Sequence, residues 1–151
     1  IKDFGRAAAE VKKFQPDVVF DDYIQLIRAD SAIEQRRLQI EQVINDYKWL
    51  AKSEKCAVVA VSQLNRNLET RGDGKPRLSD IAESGSIEQV AENVFFVYYD
   101  YKINGNRGLK NGYGPFVIEL IAKKVRYGDG GSHKLHYEGD KVKISEKEIS
   151  Y

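Results

Sequence analysis

The chain has 151 residues and a formal net charge of +1, with 31% charged and 42% hydrophobic residues. That length holds one domain with a proper core, and so even a charge balance leaves any attraction to nucleic acid to local clusters. No apolar run approaches the ~20 residues of a membrane span and no signal-peptide pattern opens the chain; the single cysteine, Cys56, excludes an intramolecular disulfide and fits a reducing cytoplasm.

Residues 3–14 predict a helix: Asp3 can cap it, and Phe4, Ala7, Ala8, Val11 and Phe14 share one stripe. Pro16 bars its continuation. Val18-Val19-Phe20 reads as a short parallel strand covered on both faces, and it runs into two adjacent carboxylates, Asp21 and Asp22. Ser31-Ala32-Ile33-Glu34 is a capping box opening a helix to about residue 53, with Ile33, Ile40, Ile44, Tyr47 and Ala51 as its apolar stripe. Residues 57–62, AVVAVS, form a second buried strand, with Cys56 before it as a small buried thiol.

A polar loop with Gly and Pro follows at residues 65–77, then a helix over 79–93 broken at Gly85. The third strand spans 94–99. Residues 102–114, with four glycines and no acid, form an exposed loop, and 116–122 the fourth strand. Residues 134–137 and 141–144 alternate apolar and polar about Glu138-Gly139-Asp140, as a hairpin does. Strands separated by helices, closed by a hairpin, give an α/β fold with a mostly parallel sheet flanked by helices. In such sheets ligands sit beyond the carboxyl ends of the strands.

An apolar strand ending in Asp is the Walker B arrangement, in which a rigidly held carboxylate binds Mg²⁺ against nucleotide phosphates, usually through water. Alone it fits a turn carboxylate equally well. Gln63, at the tip of the second strand, can hydrogen-bond a terminal phosphate or simply begin a polar loop. Lys124 and Arg126 lie two apart on a strand and so on one face; with Lys123 they also read as a solvated basic strand end. Arg66, Arg71, Lys75 and Arg77 outnumber Glu69 and Asp73 in the 65–77 loop. His133 and His136, three apart on a strand, face opposite sides and make no zinc site. Trp49 reads as packing.

Four segments occur in fixed order: DYIQLI, VVAVSQLNRNLETR, SDIAESGSIEQVAENVFFVYYD and IAKKVRYGDGG. Over residues 16–139 the chain resembles the C-terminal motor domain of the DnaB-type replicative DNA helicases, a RecA-like P-loop ATPase core. The resemblance implies a ring-forming, ATP-dependent helicase that translocates on single-stranded DNA and unwinds duplex DNA at replication forks. Its cofactors would be ATP and Mg²⁺. Its partners would be single-stranded DNA, copies of itself in a hexameric ring, a primase and a helicase loader, in the cytoplasm of a bacterium or a phage-infected host.

By position, the resemblance puts Asp22 on the Walker B aspartate, leaving Asp21 facing away where the family usually has an apolar residue. Gln63 falls on the γ-phosphate sensor. Glu83, Ser84 and Gly85 fall on the loop that meets the DNA backbone, with Ala82 where the family usually has Arg. Arg71, Lys75 and Arg77 fall in a loop lining the ring's channel. Arg126 would be the arginine finger inserted into a neighbour's ATP site, with Lys124 beside it. Residues 102–114 depart from the family pattern in length and composition.

No G-x-x-x-x-G-K-[ST] phosphate loop occurs in the chain; the resemblance puts it upstream, with the catalytic glutamate. The chain has no Met and opens at Ile1. Residues 1–151 are therefore expected to be the C-terminal part of a motor domain, from Walker B onward, and inactive alone as an ATP hydrolase. Two other readings use the same residues: another RecA-like ATPase of the recombinase type, and a non-catalytic DNA-binding or ring-docking module.

Overall fold

The computed structural model describes residues 3–27, 33, 35–71, 74–82, 85–105 and 114–146. The chain divides into two compact units, Ile1–Asn65 with Leu78–Ala91, and Arg66–Arg77 with Glu92–Tyr151.

In the first unit α1 spans Phe4–Phe14, and the Asp3 side chain accepts a hydrogen bond from the Arg6 backbone N–H at 2.9 Å, the cap that the sequence predicts. β1 (Val18–Asp21) leads through α2 (Arg36–Ser53) to β2 (Ala57–Ala60), and the two strands pair in parallel with Val18 opposite Ala57 and Asp21 opposite Ala60. This is a β–α–β crossover. On α2, Ile40, Val43, Ile44, Tyr47 and Leu50 are buried at the spacing of a single helix face. The edge of the Tyr47 ring meets Phe4 of α1 at 5.4 Å between centroids, and Cys56 is buried. Ser31 and Glu34 of the expected capping box lie outside the described residues. The helix itself begins later than expected, at Arg36, so Ile33 precedes it.

The two short strands are less enclosed than their composition predicts. Phe20 is 77% exposed, and Val18, Val59 and Val61 are also on the surface. An unbroken apolar run encodes a strand covered on both faces; here the face carrying Val18 and Phe20 is open. The helix expected over 79–93 is a 3₁₀ turn at Leu78–Asp80 followed by a short α3 (Gly85–Val90), with Gly85 starting the new helix.

The second unit holds β3 (Asn93–Tyr98), α4 (Asp100–Asn104), β4 (Val117–Val125), β5 (Gly131–Glu138) and β6 (Lys143–Ser145), with a 3₁₀ turn at Arg66–Thr70. The sheet order is β3-β4-β5-β6, every pair antiparallel. The expectation of a mostly parallel sheet is thus corrected: among the described residues one parallel pair accompanies a four-stranded antiparallel sheet. Apolar runs fix which residues are buried and carry no information on strand direction. The β5–β6 hairpin is where the sequence puts it.

Val94, Phe96 and Tyr98 of β3 and Val117, Ile118 and Ile121 of β4 form the core of this unit, while Phe95 and Val97 face outward. Glu119 of β4 is only 2% exposed, and the Lys75 ammonium pairs with it at 3.1 Å. Gly74 beside that lysine has φ +54, and a Cβ there would come within 2.8 Å of Ile103 on α4, so the backbone conformation and the close approach both call for glycine. No described helix is long and apolar enough to cross a membrane.

Candidate functional site

The two carboxylates at the end of β1 have separate environments. Asp21, the last strand residue, is half-buried near the Tyr47 hydroxyl of α2, and its Oδ2 is buried without a hydrogen-bond partner among the described residues. Burial raises its pKa above the usual carboxylate range, the Tyr47 hydroxyl opposes that rise, and the charge of Asp22 adds to it. Burial and the Asp21 charge in turn push the Tyr47 phenol up. Asp22, one residue on, is past the strand and exposed. Strand alternation has turned one acid toward α2 and left its neighbour to solvent.

Gln63 comes to the same end of the parallel pair. The chain beyond β2 stays beside β1, with Val61 N–H donating to Asp21 C=O at 2.8 Å and Ile24 N–H donating to Val61 C=O at 2.9 Å. Gln25, in the turn after Asp22, reaches across: its Nε2 donates to Ser62 Oγ at 3.0 Å, and its Oε1 accepts the Gln63 backbone N–H at 3.3 Å. Arg36 of α2 holds the Gln25 carbonyl in turn. Gln25 sits inside the quoted DYIQLI segment, yet its role depends on a cross-strand contact invisible to spacing. The Gln63 side chain is exposed.

Gln63 is also tied to the segment that precedes Gly85. Its carbonyl accepts the Ala82 N–H at 3.0 Å, Leu64 forms an antiparallel bridge with Ile81, and Asn65 N–H donates to Asp80 C=O at 2.6 Å. The strand tip therefore connects through main-chain hydrogen bonds to the residue immediately before Glu83. Glu83 and Ser84 lie outside the described residues; Gly85 starts α3 and has the Arg37 guanidinium beside it.

The remaining expected residues lie in the second unit. Lys124 is on β4, whereas Arg126 falls just past the strand's end at Val125, which corrects their placement together on one strand. The register of β3 on β4 shifts between Val94 and Phe95, whose partners are Lys124 and Ala122. Arg126 is held at three points. Its NH1 donates to both Glu92 carboxylate oxygens at 2.6 and 2.5 Å, its backbone N–H to Asn93 Oδ1 at 3.3 Å, and its guanidinium lies 5.6 Å from the Tyr127 ring centre. The Glu92 carboxylate holds the guanidinium still further in its charged form. Glu92 was not singled out by the sequence, because its contact spans 34 positions and depends on the β3–β4 register.

In the 65–77 loop the basic residues differ. Arg71 donates to the Lys75 carbonyl at 2.8 Å and Lys75 pairs with buried Glu119, so both help to hold the loop's shape. Arg77 is exposed. Removing Lys75 would take one charged partner from a buried carboxylate. On β5, His136 stacks on Phe116 at 6.0 Å.

No group of three or more His, Cys, Asp or Glu side chains able to hold a metal occurs among the described residues. One exposed carboxylate at a strand end is nevertheless the donor set that Mg²⁺ uses when water and phosphate oxygens complete its shell. Asp22 fits that mode; Asp21, turned toward Tyr47, does not.

Fold and strand ends together define an α/β protein with a carboxylate and an amide displayed at the end of a parallel pair. Residues 3–146 match the family model of the DnaB-like helicase C-terminal domain, and the chain belongs to that family. It is 43% identical over 122 residues to the replicative DNA helicase DnaB of Haemophilus influenzae, covering 81% of this chain and 25% of that one. To the same helicase of Buchnera aphidicola from Acyrthosiphon pisum it is 41% identical, over 81% and 26%. Among solved structures it is similar to a DnaB-like replicative helicase described with its interactions with primase, with TM-score 0.81, 31% identity, and coverage of 94% of this chain and 33% of that one. A solved ATPase domain superposes with TM-score 0.82 at 31% identity, over 96% of this chain and 50% of its own. The chain thus spans about a quarter of the length of the curated relatives it matches.

Proposed function

We propose that this chain is the Walker B-onward part of a RecA-like motor domain in a ring-forming, ATP-dependent replicative DNA helicase. Such a helicase translocates on single-stranded DNA in the cytoplasm and unwinds duplex DNA at forks. The observation that carries the reading is the main-chain link from Gln63 to Ala82. It joins the tip where a terminal phosphate would be sensed to the segment leading into the 83–85 loop, where a DNA backbone would be gripped.

Asp22 supplies the carboxylate for Mg²⁺, which when bound neutralises charge on the nucleotide phosphates. The Gln63 amide hydrogen-bonds the terminal phosphate of ATP and loses that partner after hydrolysis. Because the Gln63 carbonyl accepts the Ala82 N–H, a shift of the sensor is transmitted to the loop without any side-chain relay. Main-chain groups near Gly85 meet phosphates and ignore bases, as a translocating motor requires; Arg77 adds a sequence-independent attraction. Lys124 and Arg126 act on the ATP of a neighbouring subunit, so hydrolysis depends on assembly of the ring. The phosphate cradle comes from a segment beyond these residues. β2 and β3 each have one unpaired edge among the described strands, and the outward residues Phe20, Val59, Phe95 and Val97 await cover. A primase and a loader would dock on the assembled ring.

The test is unwinding of a forked duplex by the full-length protein. Wild type unwinds it with ATP, and Asp22→Ala abolishes both unwinding and DNA-stimulated ATP hydrolysis while leaving the circular dichroism spectrum unchanged. Wild-type turnover in Asp22→Ala would overturn the assignment.

A further inference from the structure

An arginine that must reach a phosphate on another subunit starts at a disadvantage. Its long side chain carries substantial rotamer entropy, much of which has to be given up when the contact forms. Any group that fixes the guanidinium beforehand removes part of that cost from the docking step. The side chain of Arg126 is fixed in this way. Glu92, just before β3, holds the guanidinium, the Tyr127 ring lies alongside it, and Asn93 Oδ1 accepts the Arg126 backbone N–H and so steadies the main chain from which the side chain springs.

The way Glu92 binds matters. Both carboxylate oxygens take hydrogens from NH1 alone. A guanidinium has five N–H donors in a planar fork, so NH2 and Nε stay outside this ion pair. A carboxylate that gripped the NH2–Nε edge would compete with phosphate for the same donors; one that grips NH1 orients the plane and leaves that edge to a second anion. The pair is also exposed, with side chains 50% and 43% accessible. Its contribution to folding stability is therefore small.

Resting on the reading of Arg126 as the trans-acting finger, we infer that Glu92 is a positioning residue for that finger. It holds NH1 so that the NH2–Nε edge is presented, pre-oriented, to a phosphate bound by the adjoining subunit. Glu92 does not touch the nucleotide. It acts only through Arg126, and its effect falls on the turnover step and leaves nucleotide affinity alone.

The experiment is DNA-stimulated ATP hydrolysis by the full-length ring, comparing Glu92→Gln, Glu92→Asp, Arg126→Ala and the double variant Glu92→Gln/Arg126→Ala. Glu92→Gln should lower kcat about tenfold, less than the roughly hundredfold that outright misplacement of a reacting group can cost, with KM for ATP and ring assembly unchanged. Glu92→Asp, which keeps the charge, should recover part of the loss. The double variant should be no slower than Arg126→Ala alone, because the finger that Glu92 positions is already gone. Wild-type kcat in Glu92→Gln, or a double variant slower than Arg126→Ala by the full Glu92→Gln factor, would overturn the inference. Wild-type turnover in Arg126→Ala would overturn the finger reading itself, and the Glu92 inference with it.

Discussion

The parallel pair β1–β2 and the antiparallel sheet β3–β6 use similar residues to opposite effect. Both use Val and Phe. In the antiparallel sheet the alternation on β3 is clean: Val94, Phe96 and Tyr98 inward, Phe95 and Val97 outward. Along β4 burial is nearly continuous, and even Glu119 is enclosed and neutralised by a lysine. In the parallel pair, strands of only four residues leave Phe20 and Val18 in solvent. The residues assigned to nucleotide chemistry, Asp22 and Gln63, stand on the less enclosed pair. The proposed finger lies one residue past the end of β4 in the better-built sheet. A finger aimed at a partner needs a rigid support within its own unit, whereas a nucleotide site completed by other segments can leave its own strands partly bare.

The difference can be broken by paired substitutions. Phe96→Ala in the antiparallel sheet should cost about 3–5 kcal/mol, the usual range for emptying a buried phenylalanine site, read as a fall in the urea midpoint at constant slope. Phe20→Ala on the open face should cost less than about 1 kcal/mol, in line with other surface changes, and should lower self-association in analytical ultracentrifugation, since it trims an exposed apolar face. Equal losses from the two would mean that the β1 face is covered.

A smaller effect sharpens the contrast between the two acids. Asp21 has a raised pKa in the folded chain, so in a window just above the usual Asp range the folded state keeps a proton that the unfolded state has lost. Its contribution is therefore fully present below the unfolded value and is lost as pH rises through the folded one. Asp21→Asn should remove that loss, giving a slightly higher Tm at neutral pH and a flatter Tm–pH profile between pH 3 and 7. Asp22→Asn, which takes away a charge that helps to raise the Asp21 pKa, should narrow that window without removing it.

Local patterns in the sequence carried much of this architecture. The Asp3 cap, the α2 stripe through Ile40, Ile44 and Tyr47, and the β5–β6 hairpin are all encoded within a few neighbouring residues, and they stand where that encoding puts them. Strand direction is not encoded locally, so β3 and β4 pair antiparallel where a parallel arrangement was expected. The choice between Asp21 and Asp22 came from register against a known motif. The different surroundings of the two acids, Asp21 beside the Tyr47 hydroxyl of α2 and Asp22 in solvent, depend on the packing of a helix 26 positions away and are not legible locally. Glu92 and Gln25 escaped notice for the same reason: each is an ordinary polar residue until the fold sets Arg126 beside one and the Gln63 amide beside the other. Lys75 shows the reverse error of scale, since a basic residue in a basic loop proves to be anchored on a buried glutamate.

The most direct measurement is DNA-stimulated ATP hydrolysis by the full-length protein carrying Asp21→Asn or Asp22→Asn. The account predicts that Asp22→Asn falls to background while Asp21→Asn keeps most of wild-type turnover, because Asp22 is the exposed carboxylate of the two and Asp21 is half-buried beside α2. Loss of turnover in Asp21→Asn with activity retained in Asp22→Asn would contradict it.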